Sequence, residues 1–319
     1  MTAVLDDKEI YLTSFAQLEK ETKNEPAWLT KIRQSAIDRF AALGFPTLDD
    51  EEWRFTNLAP LTKVPFEILE YQDDSLPSEY QFPTDSLRGS RLLLVNGYRP
   101  LFQQHQTTLP PGVIVSSLAE ALAKHPELVE PHLARYADVE DHAFTALNSA
   151  FLRDGAFVYL PKGKVIEEPI YLTFMATALG HPFVWHRRCL IVAEENSQAR
   201  IVEQYSGMPG SPYFTSGVTE LVLGEGAIVD HCKLQQESSA AFHIHTLHVQ
   251  QERSSNFTAH AINLGGSLVR NDPIIKNIGV QLLQVLYYHC VPNCLSLTVK
   301  PVISAEKHAK PGTECEMHR

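Results

Sequence analysis

Three passages decide how this chain folds: Leu190-Ile-Val-Ala-Glu-Glu-Asn-Ser-Gln-Ala-Arg-Ile-Val-Glu-Gln-Tyr205, Leu221-Val-Leu-Gly-Glu-Gly-Ala-Ile-Val-Asp-His-Cys-Lys-Leu-Gln235 and Leu247-His-Val-Gln-Gln-Glu-Arg-Ser-Ser-Asn-Phe-Thr-Ala-His-Ala261. Each is a β-branched run, a short polar turn and a second β-branched run. Taking Ala199, Ala227 and Asn256 as the residues that close the turns gives spacings of 28 and 29 residues. A period in that range marks a stacked architecture, in which each unit buries its apolar surface on its neighbours. No helical period separates the runs, so the stack is read as a β-solenoid. Gly265-Gly266 supply the backbone freedom for a tight turn near its end.

Working outward, the 319 residues divide into four parts. Residues 1–90 are a helical region and connector, with an apolar stripe on Leu12, Phe15 and Leu18. Beyond Pro26 the stripe resumes on Trp28, Leu29, Ile32, Ile37, Phe40 and Leu43, and Gly44 stops it. Phe45, Trp53 and Phe55 are expected to pack on these helices, with a short strand near Phe66–Leu69. Residues 91–141 form a small α/β module. The strand Arg91–Val95 ends at Asn96-Gly97, and a helix carries Leu118, Leu122 and Leu128. Residues 142–273 are the β-helix core, opening with a helical turn or two at Phe144–Phe151. Residues 274–319 depart from the pattern and are not expected to continue the stack.

Inside the strands alternation is imperfect: Asp230 shares a face with Ile228, Cys232 and Leu234, and Val202 with Arg200 and Gln204. Either a covered outer face or a polar interior lining produces such mixing.

The net charge of −11 argues against nonspecific nucleic-acid binding. There is no apolar run of about 18 residues and no basic-then-apolar leader, so neither a membrane span nor a signal peptide is expected. Five cysteines without framework spacing favour free thiols and a cytoplasmic protein.

Candidate chemistry is sparse. His243, His245 and His248 cannot converge on one metal from a single strand, because His248 points the opposite way. Asp230, His231 and Cys232 are likewise split between faces. Gly224-Glu225-Gly226 lies between strands and is a turn, not a phosphate cradle. The best metal-ligand candidates are Cys290, Cys294, His308 and Cys315 in the tail, although their spacing matches no standard site.

Gly44-Phe-Pro-Thr with Glu52-Trp-Arg-Phe-Thr56, and Leu264-Gly-Gly-Ser-Leu-Val-Arg-Asn-Asp272, resemble two signatures of the SufB/SufD family, in its SufD branch. Phe144–Ser149, Ala156–Ile170 and His248–Asn256 are also similar, so the resemblance spans about residues 10–273. It implies a helical N-terminal region, a right-handed parallel β-helix core and C-terminal helices. It further implies a non-enzymatic scaffold for iron–sulfur cluster assembly, pairing with a SufB-like subunit through the β-helix and with a SufC-like ATPase through the C-terminal helices. No cofactor is held firmly; iron or a cluster is held in transit within the complex. After Asp272 the family pattern lapses, with a weak return at His308-Ala-Lys-Pro311, as a frame disruption and truncation would produce; the ATPase-binding region is then missing. Two other classes compete. A carbohydrate-active β-helix enzyme needs carboxylates on one solenoid face, whereas Glu194, Glu225 and Glu252 fall in turns. A stand-alone metal-binding protein would use the tail ligands.

Overall fold

The computed structural model describes residues 8–23, 25–69, 87–96, 100–105, 108–177, 179–210, 212–278, 283–290 and 302–305. The N-terminal apolar stripe folds as α1 (Glu9–Glu21) and α2 (Ala27–Leu43), separated where Pro26 caps the second helix. Gly44 ends α2 at φ +67°, a left-handed value that favours glycine, and its N–H donates to Phe40 O at 2.8 Å. A 3-10 turn at Glu51–Trp53, α3 (Ala59–Thr62) and β1 (Glu67–Ile68) follow. Phe45 and Trp53 pack on the helices as expected, but Phe55 is 82% exposed. The tight turn that aims Trp53 inward carries the side chain two positions later outward.

Next come β2 (Gly89–Val95), β3 (Pro100–His105), β4 (Ile114–Ser117), α4 (Leu118–Lys124), α5 (Pro126–Val129) and α6 (Ala143–Ala150). The solenoid strands are β5 (Gly155–Leu160), β6 (Ile170–Ala176), β7 (Phe183–Ala193), β8 (Gln198–Gly207), β9 (Tyr213–Leu223) and β10 (Ile228–Gln236). They continue as β11 (Phe242–Gln251), β12 (Asn256–Asn263), β13 (Leu268–Asn277), β14 (Leu283–Cys290) and β15 (Val302–Ala305). From β5 onward, odd strands pair parallel in one sheet and even strands in another. The molecule is mainly β, and its core is a parallel β-helix.

Two boundaries differ from the sequence reading. The residues read as a separate α/β module contribute strands to the same two sheets: β2 pairs parallel with β6, and β4 pairs antiparallel with β5. The stack also runs past Pro273. β13 continues to Asn277, β14 pairs with β12 from Asn256↔Leu283, and β15 pairs with β13. Parallel pairing is a backbone property, so this segment joins the ladder without repeating the polar-turn signature that marks the earlier coils.

The register of the repeat is also corrected. Ile228 lies beside Gln198 and Asn256, so the residues closing the corners are Ser197, Ala227 and Ser255, spaced 30 and 28 residues apart. Each corner has four residues, and the third is left-handed: Asn196 at φ +55°, Gly226 at +67° and Ser254 at +59°. Gly163 occupies the same place one coil earlier, at φ +70°. The corners bond to one another through Gly163 N–H to Glu195 O, Asn196 N–H to Glu225 O and Gly226 N–H to Arg253 O. The opposite corners differ in length, which is why the period is irregular.

The helices cover the outer face of the odd sheet. Val184, Phe214, Phe242 and Leu268 stand side by side on adjacent strands and pack against an apolar layer that includes Phe15, Phe40, Phe144 and Leu147. Asn148 of α6 donates to Arg187 O and Ser216 O, at 3.0 and 2.8 Å, pinning the helix across two strands. Glu220 of β9 is fully buried; it accepts from the N–H groups of Ala134, Tyr136 and Ala137 at 2.9–3.0 Å and lies 3.2 Å from Arg188 Nε. Arg270 of β13 joins the two distant signatures. Its guanidinium sits 3.7 Å from the centre of the Trp53 ring and donates to Glu52 O, Thr56 Oγ1 and Asp272 Oδ2.

These contacts set the expected effects of four substitutions. Arg270→Ala is expected to lower the unfolding free energy by about 2–4 kcal/mol, since it removes a cation–π contact and leaves Asp272 unpaired; Arg270→Lys keeps the charge but not the fork, and is expected to fall between. At the corners, Ser254→Gly is expected to stabilise by up to about 1 kcal/mol, by relieving a left-handed non-glycine residue. Gly226→Val is expected to cost at least about 2 kcal/mol, because its Cβ would also meet Asn196 Oδ1. Urea unfolding of the full chain measures all four.

Candidate functional site

Odd-numbered residues of β7, β8, β9, β10 and β11 point between the two sheets, and they are not uniformly apolar. Near the four-residue corners the interior is hydrophobic, with Ile191, Ile201, Leu221, Val229, Val249 and Phe257. Toward the opposite corners it becomes a buried polar file organised on two carboxylates, Glu203 and Glu237. The residues whose alternation is mixed in the sequence, Arg200, Val202 and Gln204 with Ile228, Asp230, Cys232 and Leu234, are even-numbered and face outward, so this lining is not what mixes them.

Glu203 is fully buried and surrounded by side chains from its own strand and four others. His231 Nε2 lies 2.8 Å from its Oε2, and His245 Nε2 lies 3.3 Å from Oε1. Thr219 Oγ1 is 2.9–3.0 Å from both oxygens, Tyr205 OH donates at 2.5 Å and Cys189 Sγ at 3.6 Å. The approach of His245 depends on Gly217, where a Cβ would come within 2.7 Å of the imidazole Cδ2. Burial alone would push the Glu203 carboxyl up; the facing imidazoles, His245 first and then His231, reverse the sign and hold it well below the usual carboxylate range. Burial in turn pulls His245 down to about 4, against the attraction of Glu203. Cys189 moves the other way. Burial and the neighbouring carboxylate raise its thiol well above the usual range. At neutral pH it is a hydrogen-bond donor and not a thiolate nucleophile.

Glu237 accepts from Thr215 Oγ1 at 2.5 Å and Gln235 Nε2 at 3.1 Å, and lies 2.7 Å from His243 Nδ1. Lys233 Nζ stands 2.7 Å from His243 Nε2. A lysine can only donate, so Nε2 accepts and the imidazole proton sits on Nδ1, facing Glu237. Thr215 also receives the indole N–H of Trp185, at 2.6 Å. The file can hold buried negative charge and pass protons along hydrogen bonds; it offers no activated nucleophile.

Sequence-based candidates are redistributed accordingly. His243 and His245 point inward and His248 outward, as strand alternation requires, and His231 is inward while Asp230 and Cys232 face away. What the local reading missed is that His231 and His245, from different strands and opposite sheets, meet on Glu203. Glu194 and Glu252 open their corners whereas Glu225 takes the second position and pairs with Arg253, so the three form no common carboxylate set. Cys290 lies in β14 opposite Asn263, while Cys294, His308 and Cys315 fall outside the described residues. Among the described residues no group of three or more His, Cys, Asp or Glu is arranged to hold a metal ion. Among them, too, no helix is long and apolar enough to cross a membrane.

The pH response of the file has a definite sign. His245 titrates near 4 in the fold and near the ordinary imidazole value of about 6.5 when unfolded. The unfolded chain therefore binds more protons between those values, and stability present above about pH 6.5 is lost as pH falls toward about 4. The loss attributable to His245 is of order 3 kcal/mol, and His245→Gln is expected to flatten that part of the curve. Urea midpoints at a series of pH values check both statements; a wild-type curve flat across this window would contradict the assignment.

Comparison with known proteins agrees with this architecture. Residues 6–172 match the family model described as SufBD protein N-terminal region, and residues 174–282 match the SUF system FeS cluster assembly, SufBD core domain. An iron–sulfur cluster assembly SufBD family protein of Synechocystis is 30% identical over 256 residues, covering 78% of this chain and 56% of that protein. The iron–sulfur cluster assembly protein SufD of Bacillus subtilis is 30% identical over 239 residues, covering 72% of this chain and 52% of the relative. A chloroplastic protein of Arabidopsis thaliana, ABCI7, is 25% identical over 82% of this chain and 56% of its own length. The chain thus spans about half the length of the curated relatives it matches. With residues 6–172 and 174–282 both matched, the chain belongs to the SufBD family of the iron–sulfur cluster assembly system.

Proposed function

We propose that this chain is a non-enzymatic scaffold subunit of an iron–sulfur cluster assembly complex of the SufBCD type. Its β-helix pairs with a SufB-like subunit, and the complex holds iron and sulfur in transit; the chain supports assembly and iron acquisition without a resident cofactor. The observation that carries this reading is the state of the interior. Glu203 and Glu237 are engaged by neighbouring side chains, and the Cys189 thiol is held protonated. That is chemistry suited to stabilising a frame rather than turning over a substrate. The free thiols Cys189 and Cys232 suit a reducing compartment such as the cytoplasm. In this reading, contact with a SufC-like ATPase belongs to C-terminal helices, for which the described residues supply no counterpart.

The test is co-purification of the tagged full chain with the SufB-like and SufC-like proteins of the same organism. Recovery of the SufB-like subunit at near-equal stoichiometry is expected, with the SufC-like ATPase arriving only when SufB is present. Recovery of neither would remove the scaffold reading.

A further inference from the structure

Phe55 is the most exposed large apolar side chain among the described residues, at 82%. It is also held firmly in place. Its neighbour Thr56 is buried, and Trp53 packs on Phe144 with ring centroids 5.1 Å apart. Arg270 donates to Glu52 O at 2.9 Å and to Thr56 Oγ1 at 3.1 Å, clamping the turn on both sides of Arg54 and Phe55. Thr56 N–H closes the turn on Trp53 O at 2.8 Å. A single exposed apolar residue is ordinary. One fixed by buried neighbours is different: it has little freedom left to lose on binding, which is what makes a strong interface anchor.

A receptor of matching size lies a few residues further along the same chain. Ile10, Phe45, Leu61, Val64, Pro65 and Phe66 line a pocket of about 140 Å³. A cavity of about 150 Å³ accepts benzene, so a phenyl ring fits. Phe55 does not fill the pocket of its own chain, since it stands in solvent and is no part of the lining. The charges match as well. Asp49, Asp50 and Glu51, all exposed, precede the phenylalanine, and the exposed Lys63 belongs to the pocket wall. The next carboxylate along the chain, Glu67, lies outside the lining and 3.6 Å from His181. Phe55 and Leu61 are close in sequence, so the knob and the pocket are no more than about 20 Å apart.

We propose that Phe55 seats in this pocket on a second copy of the chain, with the acidic run beside Lys63 in the pocket wall. Because knob and pocket are neighbours, one twofold axis between them makes the exchange reciprocal. Each copy gives a phenylalanine and receives one, and the assembly closes at two. The apolar ring supplies the anchor, and the opposite charges around it set the orientation. The contact uses no residue of the solenoid strands and does not depend on the scaffold reading.

Sedimentation equilibrium of the full chain measures the association, and a photo-crosslinking benzoylphenylalanine at position 55 maps it. A monomer–dimer equilibrium with a dissociation constant of about 100 μM or tighter is expected, with crosslinks falling on residues 61–66 of the other copy. Phe55→Ala, at an exposed position, leaves the core untouched and is expected to weaken the dimer at least about tenfold. Lys63→Glu is expected to weaken it at least about threefold, and adding Glu51→Lys to bring it back near the wild-type constant. A chain that stays monomeric up to about 300 μM, a dimer unmoved by Phe55→Ala, a charge swap without rescue, or crosslinks confined to other residues would each overturn the assignment. So would a crosslink formed only when the SufB-like protein is present, which would give Phe55 to that subunit instead.

Discussion

The four-residue corner is the constraint on which this molecule depends. Each coil must leave the odd sheet and enter the even one so that its strands fall beside those of the preceding coil. A turn with one left-handed residue achieves this, and Gly163, Asn196, Gly226 and Ser254 occupy that place in successive coils. Because side chains alternate with period two, a slip of one residue at a corner would turn every interior side chain outward. The column of Val184, Phe214, Phe242 and Leu268 beneath the helices, and the polar file inside, both exist only because the corners keep count.

Burying charge is the second theme. Glu203, Glu220 and Glu237 are all withdrawn from water, an arrangement that destabilises unless every oxygen finds donors. Each is met differently. Glu220 receives three backbone N–H groups from the segment before α6 and an arginine from the next strand, so it fastens that segment to the sheet. Glu203 is met by side chains from coils above and below, and Glu237 by a threonine, a glutamine and a histidine whose tautomer Lys233 sets. Removing one partner from any of these sets would strand a buried charge. Arg270 acts over a longer distance, closing the core signature onto the N-terminal one.

Much of this was legible in the sequence. The two N-terminal helices and their Gly44 stop follow from local periodicity and turn chemistry, as do the strand–turn–strand repeats. Mixed alternation on β8 and β10 left a covered outer face and a polar interior both open, and the residues that carry it face outward. Other features were not legible. The repeat was aligned on Ala199, Ala227 and Asn256, whereas the corners align Ser197, Ala227 and Ser255, because wide corners of unequal length hide the true period. Phe55 follows the same aromatic pattern as Trp53 yet faces solvent. Residues beyond Pro273 lost the repeat signature but kept the pairing, since backbone groups pair whatever side chains they carry.

The sequence by itself determined the N-terminal helices, the strand–turn–strand repeats, the solenoid class and the family, because these rest on short-range period, turn residues and motifs a few residues long. Tertiary structure alone decided which polar residues meet. Cys189, Glu203, Thr219, His231 and His245 lie on five strands of two sheets, and their convergence depends on the length of every intervening corner. The outward set of Phe55 belongs to the same class of fact. It is fixed by the hold that Arg270, 218 residues beyond Glu52 and 214 beyond Thr56, takes on both.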